Sequence, residues 1–284
     1  AGRFGVRARA RRAARAREAC TVEAADQGLA VDVLDREEYG IRQARGSRRE
    51  DPRAAPGERL DGLLIISLAP DDSEVERFAA QEVPAVLIDA YHPALPTVQI
   101  DDVAGAQTAV NHLIDLGHRR IAYIGETLDQ NPLRFQPIGD RYRGYRLSLE
   151  QAGIPFRPEY HRQGKYGWRE ARSMTYELLD LPEPPTAVFA YSDTMAFGVL
   201  EAAQQRGVDV PGGLSVIGFD DVEIAQYFRL TTVRQGLYQS GTRGAEILLD
   251  CMDTDGSPEG DEPSSRHTVL PTELVRRSTT APPA

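Results

Sequence analysis

Four residues of this 284-residue chain are best placed to do chemistry: Asp89 closing AVLID, Arg141 opening DRYRGY, Asp193 after AVFAYS and Asp220 after LSVIGF. Each stands just beyond a short apolar run or at the start of a helix that follows one, which is where open α/β sheets bind ligands. Carboxylates accept hydrogen bonds and a guanidinium donates them in a fixed fork, so such a set grips the hydroxyls of a sugar or polyol. Tyr166 and Trp168, in GKYGWREA, add apolar ring faces suited to the C–H face of a pyranose or to a purine. Phe135, in the long loop before Asp140, is a further contact candidate. Plainer roles compete at every position: a helix-dipole partner for Asp193, a helix cap for Asp220, a solvated pair with Asp140 for Arg141, a turn for Asp89, and core or hinge packing for Trp168.

Catalytic hardware is missing from the pattern. The chain has no GxGxxG after a strand, no GxxxxGK[ST] loop and no GxSxG elbow. Lys165 is its sole lysine, and the five histidines fall in no metal-ligand spacing. Binding without catalysis, cofactor or metal is the expectation. Acids outnumber bases among the candidate contacts, which favours a neutral carbohydrate over a phosphorylated effector; a nucleoside stacked on Tyr166 is the second choice.

The net charge of −10 is unevenly spread, because the first 59 residues hold fourteen arginines against ten acids and the remainder is strongly acidic. An acidic body repels phosphate, so any DNA contact belongs to a separate module. The longest apolar run, Gly62 to Ala69, falls far short of the roughly 20 residues that cross a bilayer. No apolar stretch follows the N-terminal arginines, so no secretory signal is read and a cytoplasmic location is expected. Cys20 and Cys251 suggest neither a disulfide framework nor a zinc site.

The elements that position these residues follow from periodicity. From about residue 60, short β-branched runs alternate with amphipathic stretches, the pattern of βαβ units and a parallel sheet. Strands are expected at 63–67, 85–89, 97–100, 120–124, 187–190, 215–219 and 267–270, with a weaker one at 29–34. Asp101 or Asp102 caps a helix that stops at Gly117, Ser192 caps another that stops at Gly207, and a third runs from Asp140 to Gly153. Residues 42–59 are polar and arginine-rich with no element assigned, and 253–265 read as a loop.

Several strings then resemble one family: LDGLLIIS at 60–67, VPAVLID at 83–89, HLIDLGHRRIAYIG at 112–125, DRYRGY at 140–145, SDTMAFG at 192–198, GFDD at 218–221, TTVRQ at 231–235 and LPTELVRRS at 270–278. In this order they are similar to the effector-sensing core of lactose-repressor-type (LacI/GalR) transcription regulators. The resemblance implies a periplasmic-binding-protein-like α/β fold of two doubly wound, parallel-sheet lobes. Residues 1–99 with 233–264 would form the N-terminal lobe, and 100–232 with 265–284 the C-terminal one. It implies an effector in the cleft, held by Asp89, Arg141, Tyr166, Asp193 and Asp220, with Trp168 a weaker match. It also implies a homodimer that controls operator DNA. No helix-turn-helix pattern precedes the core, so DNA contact is expected through a head outside this stretch. The family's usual first strand is not recognisable in residues 1–28, which leaves other first-lobe contacts unassigned. A transporter's solute-binding protein is the alternative on the same fold.

Overall fold

The computed structural model describes residues 62–127, 135–253 and 267–284, together with a backbone strand at 31–35. Cys20, the arginine-rich start, the polar stretches 42–59 and 254–265, and residues 128–134 of the long loop lie outside the described residues. In chain order the first elements are β1 (Val31–Asp35), β2 (Gly62–Ile66), α1 (Asp72–Ala80), β3 (Ala85–Ile88), β4 (Thr97–Ile100) and α2 (Asp102–Asp115). Then come β5 (Ile121–Glu126), α3 (Pro137–Gln151), β6 (His161–Gly164), α4 (Trp168–Leu179), β7 (Ala187–Ala190) and α5 (Asp193–Gln205). The chain closes with β8 (Ser215–Asp220), β9 (Thr231–Gln235), α6 (Leu237–Asp253), β10 (His267–Leu270) and β11 (Thr272–Val275).

These strands form two sheets. The first runs β1-β2-β3-β4-β10 and is wholly parallel. The second runs β11-β9-β8-β7-β5-β6, parallel except for the β11–β9 pair. Parallel sheets need cover on both faces, and strand side chains alternate between them. In the first lobe Leu64, Ile66, Val86 and Ile88 pack against Ala245 and Leu248 of α6, while Leu63, Ile65 and Leu87 pack against Val75 and Phe78 of α1. The second lobe holds one larger core, in which Ala122, Val188, Ile217 and Phe219 meet Val110, Leu149 and Val199.

Helix boundaries follow the capping chemistry. Asp101 Oδ1 accepts the Ala104 amide at 2.9 Å, and α2 stops at Gly117 with φ +100°. Ser192 Oγ accepts the Met195 amide at 3.3 Å to open α5. Helix α3 begins at Pro137, three residues ahead of the start read from the sequence, because proline's fixed φ suits the first helical turn. Helix α1, opened by the Asp71–Glu74 capping box, helix α4, and the short strands β6, β9 and β11 went unread.

Among the described residues three connections cross between the lobes, at residues 101, 236 and 271. The sequence reading put the second exchange at 232–233 and the third at 264–265. Instead Thr231–Gln235 stays parallel to β8 in the second sheet, and His267–Leu270 stays parallel to β4 in the first. Each strand completes its ladder before the chain leaves it, at Gly236 and at Pro271; proline, lacking an N–H, does not extend a ladder.

Candidate functional site

Backbone strain marks the carboxyl ends of the strands. Ser67 after β2, Asp89 after β3, and Asp220 and Asp221 at the end of β8 adopt φ of +58°, +57°, +117° and +52°. Side chains other than glycine pay roughly 1 kcal/mol or more to sit there, and such residues cluster at ligand sites.

Arg141 is the centre of the second lobe's polar cluster. Its side chain is wholly buried. Nε donates to Asp102 Oδ1 at 2.7 Å, and Nη1 donates to the Tyr191 carbonyl at 2.8 Å and to Asp220 Oδ1 at 3.1 Å. The guanidinium lies 3.7 Å over the Phe219 ring. Burial disfavours its charge, but the Asp102 and Asp220 carboxylates outweigh that and hold it protonated above its usual range. Gln235 Nε2 also donates to Asp220 Oδ1. Asp102 follows the first crossing and Gln235 precedes the second, so Arg141 touches, directly or through Asp220, two of the three connections between the lobes. Its Nη2 nitrogen is buried with no hydrogen-bond partner. Buried guanidinium donors are normally paired, which makes this nitrogen the exception within the cluster.

Asp193 sits in the interior, not on the cleft wall. It is fully buried, with Oδ1 accepting from Thr232 Oγ1 and Oδ2 accepting the Val222 amide at 2.9 Å. Burial, and then the neighbouring Asp220 carboxylate, push its pKa well above the usual carboxylate range. Its bonds fasten the start of α5 to the end of β8 and to β9.

Asp89 lies on the other side of the cleft. Ser67 Oγ donates to its Oδ2 at 2.9 Å. It lines a cavity of about 360 Å³ that takes Ala90, Tyr91 and Gln99 from the first lobe and Asp102, Pro137 and Asp140 from the second. The wall is acidic; Arg143, 3.3 Å from Asp140, is the basic residue lining it. Burial raises the Asp140 pKa against the pull of Arg143. A narrower crevice of about 10 Å³ lies between Ser67, Asp89, Gln235 and Ser240, so Asp89 borders both spaces.

Of the six residues chosen from the sequence, the fold therefore brings Arg141 and Asp220 into direct contact and sets Asp193 behind them. Asp89 shares the narrow crevice with Gln235, which in turn donates to Asp220. Tyr166 is half-buried and meets the Tyr191 ring edge-on at 6.3 Å. Trp168 opens α4 and stands 5.3 Å from the guanidinium groups of both Arg169 and Arg172. Of the six, Asp89 lines the cavity and the crevice, and Arg141, Tyr166, Trp168, Asp193 and Asp220 line neither. Phe135 is buried. The sequence reading missed Asp102, Thr232, Gln235 and Tyr191. Asp102 was read only as a cap and Gln235 only as the end of TTVRQ, because their meeting at Arg141 depends on where the crossings fall.

Two parallel-sheet lobes around a polar cleft, joined by crossing segments, define a protein of the periplasmic-binding class. The periplasmic binding protein-like domain family matches residues 110–280. The HTH-type transcriptional repressor CytR of Escherichia coli (strain K12) is 36% identical over 227 residues, 78% of this chain and 63% of that protein. A LacI family transcriptional regulator from Enterococcus faecium, solved with bound ribose, aligns with a TM-score of 0.69 at 28% identity, covering 78% of this chain and 80% of that one. The transcriptional regulator CelR in complex with cellobiose aligns with a TM-score of 0.74 at 27% identity, over 94% of this chain and 78% of that one. The chain belongs to the periplasmic-binding-protein-like family and, within it, to the LacI-type regulators, whose effector-sensing core it matches. It spans about 63% of the length of the first curated relatives, which are named as transcriptional repressors and not as enzymes.

Among the described residues no helix is long and apolar enough to cross a membrane.

Proposed function

We propose that this chain senses a small polyhydroxylated effector, a carbohydrate, in the inter-lobe cleft and thereby controls operator binding by a DNA-binding head outside it. The observation that carries the reading is the unpaired Arg141 Nη2 inside an otherwise fully bonded cluster. Arg141 and Asp220 supply the second lobe's contacts, Asp89 the first lobe's, and Tyr166 a ring face. Asp193 and Trp168 act behind them, Asp193 by fixing β8 and β9. The acidic cavity wall suits a neutral ligand rich in hydroxyl donors, and the ribose and cellobiose bound to the two solved relatives are of that class.

Arg141 is bonded to Asp102 and, through Asp220, to Gln235, so a ligand that engages it bears on the segments that set the angle between the lobes. Only a difference in affinity between two lobe arrangements transmits a signal, and these contacts supply one. The output is read through a homodimer in the cytoplasm. Ile224, Tyr227 and Phe228 form an exposed apolar patch after β8, with Tyr227 75% exposed, and a second copy is the occupant that such a patch fits.

The test is thermal unfolding of the chain against D-ribose, cellobiose, cytidine, adenosine and sugar phosphates. A ligand at a hundred times its Kd adds about 2.7 kcal/mol to stability. For a chain of this size that is several degrees, at roughly 2 to 4 °C per kcal/mol. A neutral sugar or nucleoside is expected to raise the melting temperature; a response confined to sugar phosphates, or none at all, overturns the reading.

A further inference from the structure

A second set of buried polar atoms lies in the second lobe, beside Arg141 but outside the cluster described above. Strand order in this sheet reverses at β5: β6 is added on one side and β7 on the other. In open α/β sheets ligands bind in the crevice at such a reversal, here beyond the carboxyl ends of β5 and β7, and β6 borders β5 on its other side. Tyr123 of β5 and Gln163 of β6 share one face of this region. Tyr123 is registered with His161, and Gly125 with Gln163. The Tyr123 ring folds along its own strand over Gly125, so that a Cβ added at Gly125 would stand 2.6 Å from the hydroxyl. The hydroxyl is thereby carried to the level of Gln163 in the next strand, neighbouring strands being about 4.8 Å apart.

Neither group is satisfied. Tyr123 Oη and Gln163 Nε2 are both buried and have no hydrogen-bond partner, and deeper on the same face His161 Nε2 is in the same state. The roof over them is Tyr142, the residue after Arg141, whose ring lies 5.4 Å from that of Tyr123 and 4.6 Å from that of His161. Burial, and then the nearby Tyr191 hydroxyl, keep the Tyr123 phenol protonated, so it stays a neutral donor and acceptor. The β6 strand ends at Gly164, two residues before Tyr166, which places the pair next to the cleft's aromatic residue.

We propose that Tyr123 Oη and Gln163 Nε2 form a distal subsite of the effector cleft that reads a hydroxyl of the ligand lying beyond the one held by Arg141. Buried polar groups are paired almost without exception, by protein, water or ligand, and here the protein offers no partner. The subsite rests on the effector reading above. An apolar residue at position 123 would leave room but no hydrogen bond, so Tyr123 selects between ligands that differ at that hydroxyl.

The experiment compares the wild-type chain with Tyr123→Phe and Gln163→Met, each melted alone and titrated with D-ribose, cellobiose, cytidine and adenosine. Without ligand, Tyr123→Phe and Gln163→Met are expected to melt no lower than wild type, since each removes an unpaired group. Affinity for the probe that stabilises wild type is expected to fall about two- to tenfold, the size of one hydrogen bond. A loss of several degrees in unliganded Tyr123→Phe would show that the hydroxyl is held by an ordered internal water in a structural role, and would overturn the subsite. Unchanged affinity in both variants would overturn it as well while leaving the effector reading intact. A wild-type chain silent to all four probes would overturn the effector reading, and the subsite with it.

Discussion

In the second lobe Arg141 lies wholly buried behind the cavity wall, fixed by Asp102, Asp220 and the Tyr191 carbonyl; in the first lobe Asp89, half-buried, lines the cavity itself and accepts from Ser67. The packing behind each differs in the same direction. The second lobe carries one continuous core, whereas the described part of the first carries two smaller clusters on opposite faces of its sheet. One lobe thus holds its charge in a fixed buried network, and the other holds Asp89 at a cavity wall over smaller cores. On the proposed reading, a ligand that engages the fixed half would draw the other half onto it, and the asymmetry would let binding favour one lobe arrangement.

The contrast is broken most severely at Arg141. Replacing it by Met leaves Asp102 and Asp220 buried without their counter-charge, and loss of one partner of a buried ion pair costs about 3 to 5 kcal/mol. Chemical denaturation should show that loss as a large fall in the unfolding midpoint.

Asp193→Ala removes the acceptor of the Thr232 hydroxyl and the Val222 amide, leaving two buried donors unpaired at about 1 to 3 kcal/mol. Asp193→Asn should be milder and should also change the pH dependence. The folded pKa of Asp193 is raised by burial and by Asp220. Its contribution to stability is therefore complete below the unfolded value of about 3.9 and is lost as pH rises through the folded value. Melting curves across that range should show wild type losing stability relative to Asp193→Asn as pH increases; parallel curves would place the proton elsewhere.

Smaller and opposite in sign is the effect of His118, which is enclosed by Thr186, Ser215 and the Ala281 carbonyl, with its pKa lowered by burial. Its contribution is present above the unfolded value of about 6.5 and is lost as pH falls through the folded one, so His118→Gln should flatten the acid side of the stability profile. The smallest expected change in stability, within about 0.5 kcal/mol, belongs to Asp89→Asn, since asparagine tolerates the left-handed backbone at that position.

Much of this fold was legible because the parallel strands are continuous apolar runs, and because Asp101, Ser192, Gly117 and Gly207 punctuate the helices. Asp220 was readable as a strand end and Arg141 as a residue of the helix after the long loop, but their direct contact was not. The role of Asp193 was not: a carboxylate after Ser192 reads the same whether it faces a ligand or a neighbouring strand, and only the return of β9 beside β8 brings Thr232 to it. Asp102, Gln235 and the Tyr123–Gln163 pair were hidden likewise, since each acquires meaning from a register or a crossing that pairs residues far apart in the chain.

The central claim, that an effector is held between Arg141 and Asp89 from opposite lobes, is tested most directly at its weaker half. Equilibrium titration of wild type and Asp89→Asn with the sugar or nucleoside that most raises the melting temperature isolates the first-lobe contact without disturbing the Arg141 cluster. The account predicts unchanged unliganded stability and affinity weakened about tenfold or more, the loss of a hydrogen bond to a charged group. Equal affinity in the two proteins would contradict it and would confine the ligand to the second lobe.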